Sequence, residues 1–272
     1  MTRTLYMSVL GAVMALSFNA SAITLDQAVH SGARPEAQVA RDQYRHPAET
    51  LAFMGIKPTM TVVELWPGAS GWYSAILAPY LKDQGHFIAA SFSTQPGPNG
   101  EEGYYVRAGK AYQALLAQNE ASWGKVSLAV LAPPEEVQLA APGSADMVLT
   151  FRNLHNWHKS GQLDTVFSAA FSALKPGGTF GVVEHRAKAG TSEAEMASSG
   201  YMATDYVIEH AKKAGFVLDA SSEINANPKD TKDYPAGVWT LPPTLTLKDQ
   251  DRAKYLAIGE SDRMTLRFKK PQ

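Results

Sequence analysis

The 272-residue sequence has 45% hydrophobic and 19% charged residues, a composition typical of a globular protein with enough apolar side chains for a large core. Its formal net charge of -1 argues against a nucleic-acid-binding surface, so we expect no nucleic-acid partner. The absence of cysteine excludes disulfides, thiolate metal ligands and a cysteine nucleophile.

The first 22 residues have the pattern of a secretory signal peptide. Arg3 is their only charge, residues 5–18 are apolar, and Ala20-Ser21-Ala22 matches a small-x-small cleavage site. The apolar run is shorter than the roughly 20 residues that a membrane-spanning helix needs. We therefore predict cleavage after Ala22, a periplasmic or secreted mature protein of residues 23–272, and no stable membrane insertion after cleavage. An uncleaved membrane anchor is the alternative.

A strand, a tight turn and a helix begin the regular part of the pattern. Thr61-Val62-Val63 is a β-branched run that leads into Glu64, and a turn rich in Pro, Gly and Ser follows at residues 67–71. Residues 73–81 then have helical periodicity. Such a unit lets a ligand approach the backbone closely and is typical of nucleotide-binding α/β proteins. Any αβ unit with a tight turn would show the same pattern.

Alternating strands and helices follow for the rest of the sequence. Further strands are predicted at residues 86–90, 127–131, 146–151, 179–184, 217–220 and 264–268. Helices are predicted at residues 48–54, 104–119, 161–174 and 192–214, and a turn at residues 175–178. A capping box at Ser192 and Glu195 begins the last helix, and Gly215 ends it. This alternation predicts a single α/β domain with a mostly parallel sheet and helices on both faces.

The segment before the first strand, residues 23–57, is polar and helical in character. It contains Arg41-Asp42-Gln43-Tyr44-Arg45-His46-Pro47, in which charged and hydrogen-bonding side chains are concentrated. Two interpretations are open, a solvated helix face and a lid over a ligand pocket. Under the second, Tyr44, Arg45 and His46 would face the ligand.

Three ordered motifs resemble those of the class I S-adenosylmethionine-dependent methyltransferases. Glu64-Leu65-Trp66-Pro67-Gly68-Ala69-Ser70-Gly71 stands where that family has its acidic, glycine-rich motif. The segment from Asp146 to Trp157 is similar to the family's fourth-strand motif, and Leu174-Lys175-Pro176-Gly177-Gly178 to its turn before strand five. The resemblance covers nearly the whole predicted mature chain and is strongest to a group of exported predicted methyltransferases. The motifs shared with that group are Arg41-Asp42-x-Tyr44-Arg45-His46-Pro47, Trp66-Pro67-Gly68, Asn227-Pro228 and Ser261-Asp262-Arg263.

This resemblance implies a Rossmann-like sheet of seven strands in the order 3-2-1-4-5-7-6, with the last strand antiparallel. It implies that S-adenosylmethionine binds at the carboxyl ends of the strands, beside strand one. The residues that the resemblance assigns to the cofactor are Glu64, Trp66, Pro67, Gly68, Ser70, Gly71, Tyr73, Ser91, Phe151, Arg152 and Asn153.

The sequence departs from the family pattern at three places. Trp66 replaces the usual first glycine, and its indole restricts how closely the backbone can approach a ligand. Ser91 stands where a carboxylate normally binds the ribose hydroxyls, which removes a strong charge-assisted hydrogen bond. The acidic residue expected after strand three is displaced to Glu135 and Glu136, which either reach the adenine amine or lie in a solvated loop.

Histidines follow strands four and five, where a general base for methyl transfer would stand. His155, His158 and His185 are the candidates, since imidazole titrates near neutrality. Trp157 could form part of the wall of the acceptor pocket, and Arg186 lies close enough in sequence to contact the acceptor. Hydrogen-bonded structural histidines are the alternative for His155 and His158.

We therefore predict S-adenosylmethionine-dependent methylation of an unidentified small molecule in the periplasm. One alternative is a non-catalytic or repurposed binding protein on the same scaffold, because export takes the protein away from the compartment that makes the cofactor. The other is a metal enzyme with His155, His158, Glu184 and His185 as ligands, although we expect no metal. The oligomeric state is left open.

Overall fold

The computed structural model describes residues 22–97 and 99–272. Of the predicted signal peptide, every residue except Ala22 lies outside the described residues. Within the described ranges the strands are β1 (Thr61–Leu65), β2 (His86–Ser91), β3 (Ser127–Val130), β4 (Ala145–Phe151), β5 (Leu174–His185), β6 (Val217–Ser222) and β7 (Arg263–Lys269).

These strands form one seven-stranded sheet in the order β3-β2-β1-β4-β5-β7-β6. β1 pairs in parallel with β2 and with β4, so Val63 lies between Ile88 and Val148. β7 is antiparallel to both of its neighbours, and Arg263 at its start pairs with His185 at the end of β5. The predicted fold class, strand order and antiparallel last strand are confirmed. The start of β7 therefore lies at the same edge of the sheet as the carboxyl ends of the parallel strands.

Alternating side chains along the strands feed two apolar cores, one on each face of the sheet. Val62 and Met147 pack into one core, whereas the next residue along each strand, Val63 or Val148, packs into the other. Strands buried on both faces need this continuous apolar sequence, which explains the β-branched run of β1. Both faces of the sheet are thus covered, and the loops at its carboxyl edge are available to form a site.

Helices cover both faces of the sheet. One set packs with the Val62 core and consists of α1 (Leu25–Val29), α4 (Pro47–Met54), α5 (Ser74–Leu81) and α6 (Tyr104–Trp123). The other set packs with the Val63 core and consists of α7 (Leu154–Lys159), α8 (Leu163–Ala173), α9 (Glu193–Ser199) and α10 (Thr204–Lys213). The remaining elements are α2 (Glu36–Val39), α3 (Asp42–Arg45), a 3-10 helix (Gly237–Thr240) and α11 (Arg252–Ile258).

The predicted long helix at residues 192–214 is wrong in one respect, because it is two helices. The capping box at Ser192 is present, but α9 ends at Gly200, whose φ is +75°. A Cβ at this glycine would lie 2.8 Å from Val238 and 3.0 Å from Trp239. Gly200 therefore both reverses the chain and allows the 3-10 helix to pack closely against α9.

The predicted turn at residues 175–178 lies inside β5 and does not precede it. Ala145 pairs with Leu174 and Met147 pairs with Thr179, so these residues form an irregularity opposite Asp146. The predicted helix at residues 161–174 begins at Leu163, after the separate helix α7. Among the described residues, the helices are too short or too polar to cross a bilayer.

Candidate active site

A cavity of about 430 Å³ lies at the carboxyl edge of β1 and β4. The turn after β1 and the residues after β4 form its floor. The segment before β1 contributes Arg41 and Arg45, and the segment between β6 and β7 contributes Trp239 and Glu260. The N-terminal helical segment is thus one wall of this cavity.

The turn after β1 presents open backbone to the cavity. Gly68 has a φ of +72°, and a Cβ there would meet no atom within 4 Å. Asn153 holds the turn, because its Nδ2 donates to the carbonyl oxygens of Leu65 at 3.0 Å and Trp66 at 3.3 Å. Gly71 is a packing glycine that does not line the cavity, since a Cβ there would lie 3.0 Å from the side chains of Leu115 and Tyr112.

Glu64 is the buried carboxylate of this floor. Its side chain lines the cavity and accepts a hydrogen bond from Ser74 Oγ at 2.7 Å. Burial raises the pKa of Glu64 to about 7, although Ser74 and the charge of Arg152 both act in the opposite direction. The carboxyl group is therefore poised to ionise fully when a cation binds beside it.

Four arginines surround a single carboxylate at the opposite wall. Glu260 accepts from Arg41 Nε at 2.6 Å, from Arg45 Nε at 3.2 Å and from Arg263 Nη2 at 2.7 Å. Burial opposes ionisation of Glu260, but these cations outweigh it and lower its pKa to about 2. The fourth cation, Arg152, has its pKa lowered to about 10 by burial and by Arg263. The guanidiniums thus repel one another.

His155 and Glu184 form a buried hydrogen-bonded pair beside the cavity. His155 Nδ1 lies 3.1 Å from Glu184 Oε1, and the carboxylate also accepts from the backbone N–H groups of Leu154 and His185. With Nδ1–H donated to Glu184, the Nε2 atom of His155 carries the lone pair that a general base needs. His185 Nδ1 is 2.5 Å from Ser261 Oγ, and burial with nearby His155 and Arg263 holds the pKa of His185 well below its ordinary value.

His155, Glu184 and His185 have their possible ligand atoms within 4.8 Å of one another, as a metal site would require. The local contacts favour a hydrogen-bonded base instead. Glu184 already accepts three hydrogen bonds, and Arg45, Arg152 and Arg263 place positive charge where a cation would have to bind. His158, the remaining histidine of the metal hypothesis, is not part of this group.

Several solved structures have a fold similar to that of this chain, at low sequence identity. A protein assigned as a sarcosine dimethylglycine methyltransferase from Galdieria sulphuraria matches with a TM-score of 0.57 at 12% identity, over 86% of each chain. The fold is that of the class I S-adenosylmethionine-dependent methyltransferases. No protein-family model and no curated protein sequence matches this chain.

Two further solved structures are similar to this chain. Haemonchus contortus phosphoethanolamine N-methyltransferase 2, in complex with S-adenosyl-L-methionine, matches with a TM-score of 0.54 at 16% identity, over 93% of this chain and 61% of its own. The [4+2]-cyclase SpnF matches with a TM-score of 0.53 at 14% identity, over 84% of this chain and 80% of its own.

A second, apolar cavity of about 250 Å³ lies at the ends of β2 and β3. Phe92 follows β2, and Leu131 follows β3. This is the side of the class I sheet where the resemblance predicts the adenosine part of the cofactor. Trp66 lines both cavities and has a φ of +46°, in the left-handed region where a side chain is strained. Its Nε1 donates to the carbonyl oxygen of Leu131 at 2.7 Å, and its ring centroid is 4.8 Å from those of Phe92 and Trp157.

The residues present fit the two ends of S-adenosylmethionine separately. In the larger cavity, Glu64 and Arg152 offer one negative and one positive partner to an amino-acid group, and Gly68 leaves room for it. In the smaller cavity, the apolar rings suit a planar base. The indole of Trp66 lies between these ends. A ligand that occupies both cavities therefore has to contact or displace this ring.

Most of the predicted cofactor residues line the larger cavity, and two, Gly71 and Ser91, do not. Besides the residues described above, Pro67, Ser70, Tyr73 and Phe151 belong to its wall, and the rings of Tyr73 and Phe151 stack at 3.5 Å. Ser91 lines neither cavity. Its buried Oγ has no hydrogen-bond partner among the described residues.

Several of the predicted acceptor and base residues lie elsewhere. His158 has both ring nitrogens within hydrogen-bond distance of other groups, at 3.0 Å from the Glu193 carbonyl and 3.2 Å from the Tyr206 hydroxyl, so we drop it from the candidate bases. Trp157 lines the apolar cavity. The others line neither cavity and are Tyr44, His46, Glu135, Glu136 and Arg186.

The contacts of Arg186 and Tyr44 are structural. Arg186 donates to both Glu223 and Asp262, which ties the end of β5 to the segment before β7. The carbonyl oxygen of Tyr44 accepts from Arg263. These contacts explain why two residues near the site in sequence do not face it.

Sequence reasoning missed the wall that precedes β7. Glu260 and Ser261 line the cavity because an antiparallel strand starts at the carboxyl edge of its parallel neighbours. The prediction of an antiparallel last strand contained this signal, since the residues before such a strand have to lie at the ligand edge. Trp239, Pro242 and Pro243 gave no comparable signal, because they belong to a long irregular segment.

Proposed function

We propose that this protein transfers a methyl group from S-adenosylmethionine to a small-molecule acceptor. One observation carries the proposal. A single cavity at the carboxyl edge of β1 and β4 brings the glycine turn, the Glu64 and Arg152 pair, and the His155–Glu184 dyad together. The comparisons support the fold on which this proposal rests, and the site residues supply the chemistry.

Glu64, Arg152 and the turn at Gly68 would hold the amino-acid end of the cofactor. The carboxylate of Glu64 accepts hydrogen bonds from an ammonium group, and the guanidinium of Arg152 donates to a carboxylate. The positive charge of Arg152 makes the cofactor carboxylate its better partner, because a guanidinium repels a sulfonium. When bound, the cofactor supplies an electrophilic methyl group, and the protein contributes chiefly by holding the acceptor in line with it.

His155 would take the proton from the acceptor. Its Nδ1–H is oriented by Glu184, and this carboxylate stabilises the imidazolium that forms when Nε2 accepts a proton. Glu184 is fully buried and held by two backbone N–H groups, so the imidazole stays in one orientation. His185 is poorly suited to this role, since its lowered pKa opposes protonation.

We also propose that the protein acts in the periplasm and that the exported predicted methyltransferases are its nearest group. The signal-peptide pattern of residues 1–22 and the motifs shared with that group support this location. N-terminal sequencing of the protein recovered from the cell envelope tests it. We expect the sequence to begin at Ile23, and retention of Met1 would contradict the proposed cleavage.

The position of Trp66 favours a second candidate, a binding protein that has lost the methyl donor. Its indole lies between the two cavities, and Ser91 offers no carboxylate to a ribose. Under this hypothesis the larger cavity binds another small molecule and the apolar cavity remains empty. The two functions differ in whether an adenosyl ligand binds at all.

Calorimetric titration with S-adenosylhomocysteine separates these candidates. We expect one binding site per chain with a dissociation constant below a millimolar, and weaker binding for homocysteine or adenosine alone. No heat at submillimolar ligand would overturn the methyltransferase proposal and leave the binding-protein hypothesis. Metal analysis of protein purified without chelator is a useful companion, since a stoichiometric metal ion would favour the metal-enzyme alternative over both.

A further inference from the structure

We propose that the methyl acceptor is an oxyanion, a carboxylate or phosphate compound, whose charged group binds Arg41 and Arg45. This inference rests on the proposed function and adds the chemical class of the acceptor. The evidence is a set of arginine N–H groups at the cavity wall that have no hydrogen-bond partner among the described residues.

The first line of support is the incomplete pairing of the arginines. Arg45 is 3% exposed and lines the cavity, yet within the described residues only its Nε has a hydrogen-bond partner. Arg41 Nη2 and Arg152 Nη1 are both buried without a partner in the same part of the chain. Buried donors without partners destabilise a protein, and charged donors do so most, so these groups require an explanation, and a bound anion supplies one.

The second line is the balance of charge around the cavity. Four guanidiniums, those of Arg41, Arg45, Arg152 and Arg263, lie close enough to perturb one another. The acidic groups that face them are Glu260, Glu64 and Glu184, and Glu184 is already engaged by His155 and two backbone N–H groups. At least one positive charge is therefore left over even when every carboxylate is ionised.

The proposed donor cannot supply the missing negative charge. S-adenosylmethionine carries a sulfonium, an ammonium and one carboxylate, so its binding adds a further net positive charge to the cavity. Burying that excess without a counter-charge is strongly unfavourable. The acceptor is the remaining component of the ternary complex, and it therefore has to bring the negative charge.

The third line of support is that the proposed oxyanion site lies near the proposed base, His155. Glu260 accepts hydrogen bonds from Arg41 and Arg45. The next residue, Ser261, contacts His185 through its Oγ. The rings of His185 and His155 are 5.4 Å apart. An acceptor whose oxyanion binds Arg41 and Arg45 can thus direct its reacting atom towards His155, while Arg152 remains for the carboxylate of the donor.

The test is a calorimetric titration of inorganic phosphate into protein saturated with S-adenosylhomocysteine, at constant ionic strength set with chloride. We expect one phosphate per chain for the unmodified protein and for Arg252→Gln, which removes an exposed arginine of α11. Arg45→Gln should weaken phosphate binding about tenfold or more, because it removes a charge-assisted contact. Arg41→Gln serves the same purpose should the Arg45 variant not fold.

Each outcome bears on one of the two proposals. Phosphate that does not bind, that binds all variants equally, or that competes with S-adenosylhomocysteine would overturn the oxyanion acceptor while leaving the methyltransferase proposal intact. Phosphate binding without any binding of S-adenosylhomocysteine would instead overturn the methyltransferase proposal, and the acceptor assignment with it. Phosphate that binds alongside S-adenosylhomocysteine and depends on Arg45 supports both.

Discussion

The indole Nε1 of Trp66 donates a hydrogen bond to the carbonyl oxygen of Leu131 across the gap between the two cavities, at 2.7 Å. This contact joins the end of β1 to the residue after β3 and places an aromatic ring where the family motif has a glycine. The ring also packs on Phe92 and Trp157. It is thus the side chain that decides whether the two cavities can hold one ligand.

We expect Trp66→Ala to bind S-adenosylhomocysteine about tenfold more tightly than the unmodified protein. The smaller side chain joins the cavities and removes the free-energy cost of displacing the indole, which includes roughly 1 kcal/mol for the hydrogen bond. Trp66→Phe is the matched control, because it keeps an aromatic ring in the gap and loses only the N–H donor. Calorimetry measures both. Weaker binding by the alanine variant would mean that the indole stacks on the ligand.

Gly68→Val should abolish adenosyl-ligand binding. The added side chain would occupy the open space over the turn and block the approach of a ligand to the backbone. Gly143→Val is the control, since Gly143 has a similar φ of +66° and also has open space around it but lies in a surface loop. Both variants should lose a similar amount of thermal stability. Equal retention of ligand binding by both would place the ligand elsewhere.

Glu260→Gln should lower the free energy of unfolding by about 3–5 kcal/mol, because it leaves buried guanidiniums without their shared counter-ion. Glu260 is 3% exposed and contacts three arginines. The control, Glu120→Gln at an exposed position of α6, should change the free energy of unfolding by less than about 0.5 kcal/mol. Urea unfolding at pH 7 measures the difference. A loss below about 1 kcal/mol at Glu260 would show that the cluster is well solvated.

Glu64→Gln should stabilise the ligand-free protein more at pH 8 than at pH 5. The pKa of Glu64 is raised from 4.5 to about 7 in the folded protein. The unfolded chain therefore loses this proton first, and the unmodified protein loses stability as pH rises from 4.5 to 7. The change amounts to roughly 3 kcal/mol at 1.36 kcal/mol per pKa unit.

Thermal unfolding of Glu64→Gln and the unmodified protein between pH 5 and pH 8 checks this sign. We expect the difference in midpoint temperature to grow with pH. Glu135→Gln, which removes an exposed carboxylate, is the control variant. A constant difference across the range would mean that Glu64 titrates at an ordinary pKa in the folded state.

Arg152→Gln should raise the stability of the ligand-free protein by up to roughly 3 kcal/mol at 1.36 kcal/mol per pKa unit, since burial and Arg263 already disfavour its charge. The same variant should bind S-adenosylhomocysteine more weakly, because it loses the partner for the ligand carboxylate. Thermal unfolding with and without ligand measures both effects. A variant that is less stable without ligand would show that Arg152 supports the fold and not the ligand.

The sequence was sufficient to predict the sheet because its signals are local and repeated. The β-branched run at Thr61, the capping box at Ser192 and the ordered glycine motifs each follow from a few neighbouring residues. The same reasoning failed at Gly200. This glycine divides the predicted helix and is required because Trp239, 39 residues later in the sequence, packs closely against it, a contact that the local pattern does not contain.

The site was predicted on the floor of the cavity and missed on its walls. Glu64, Gly68 and Arg152 are attached to strand ends that the motifs identify. The convergence of Arg41 and Arg45 on Glu260 joins positions more than 200 residues apart, which no periodicity or spacing records. The distinction between His155 and His158 depended on side-chain direction, because one turn of α7 separates a cavity residue from one hydrogen-bonded to α9.

The position of β7 has a consequence for how the protein folds. β7 comes last in chain order but lies in the interior of the sheet, where it is the strand that joins β6 to the remainder. β5 and β6 therefore each keep an unpaired edge until residues 263–269 insert between them. Glu260 lies directly before this strand, so the arginines of the N-terminal segment meet their counter-ion only when β7 takes its place.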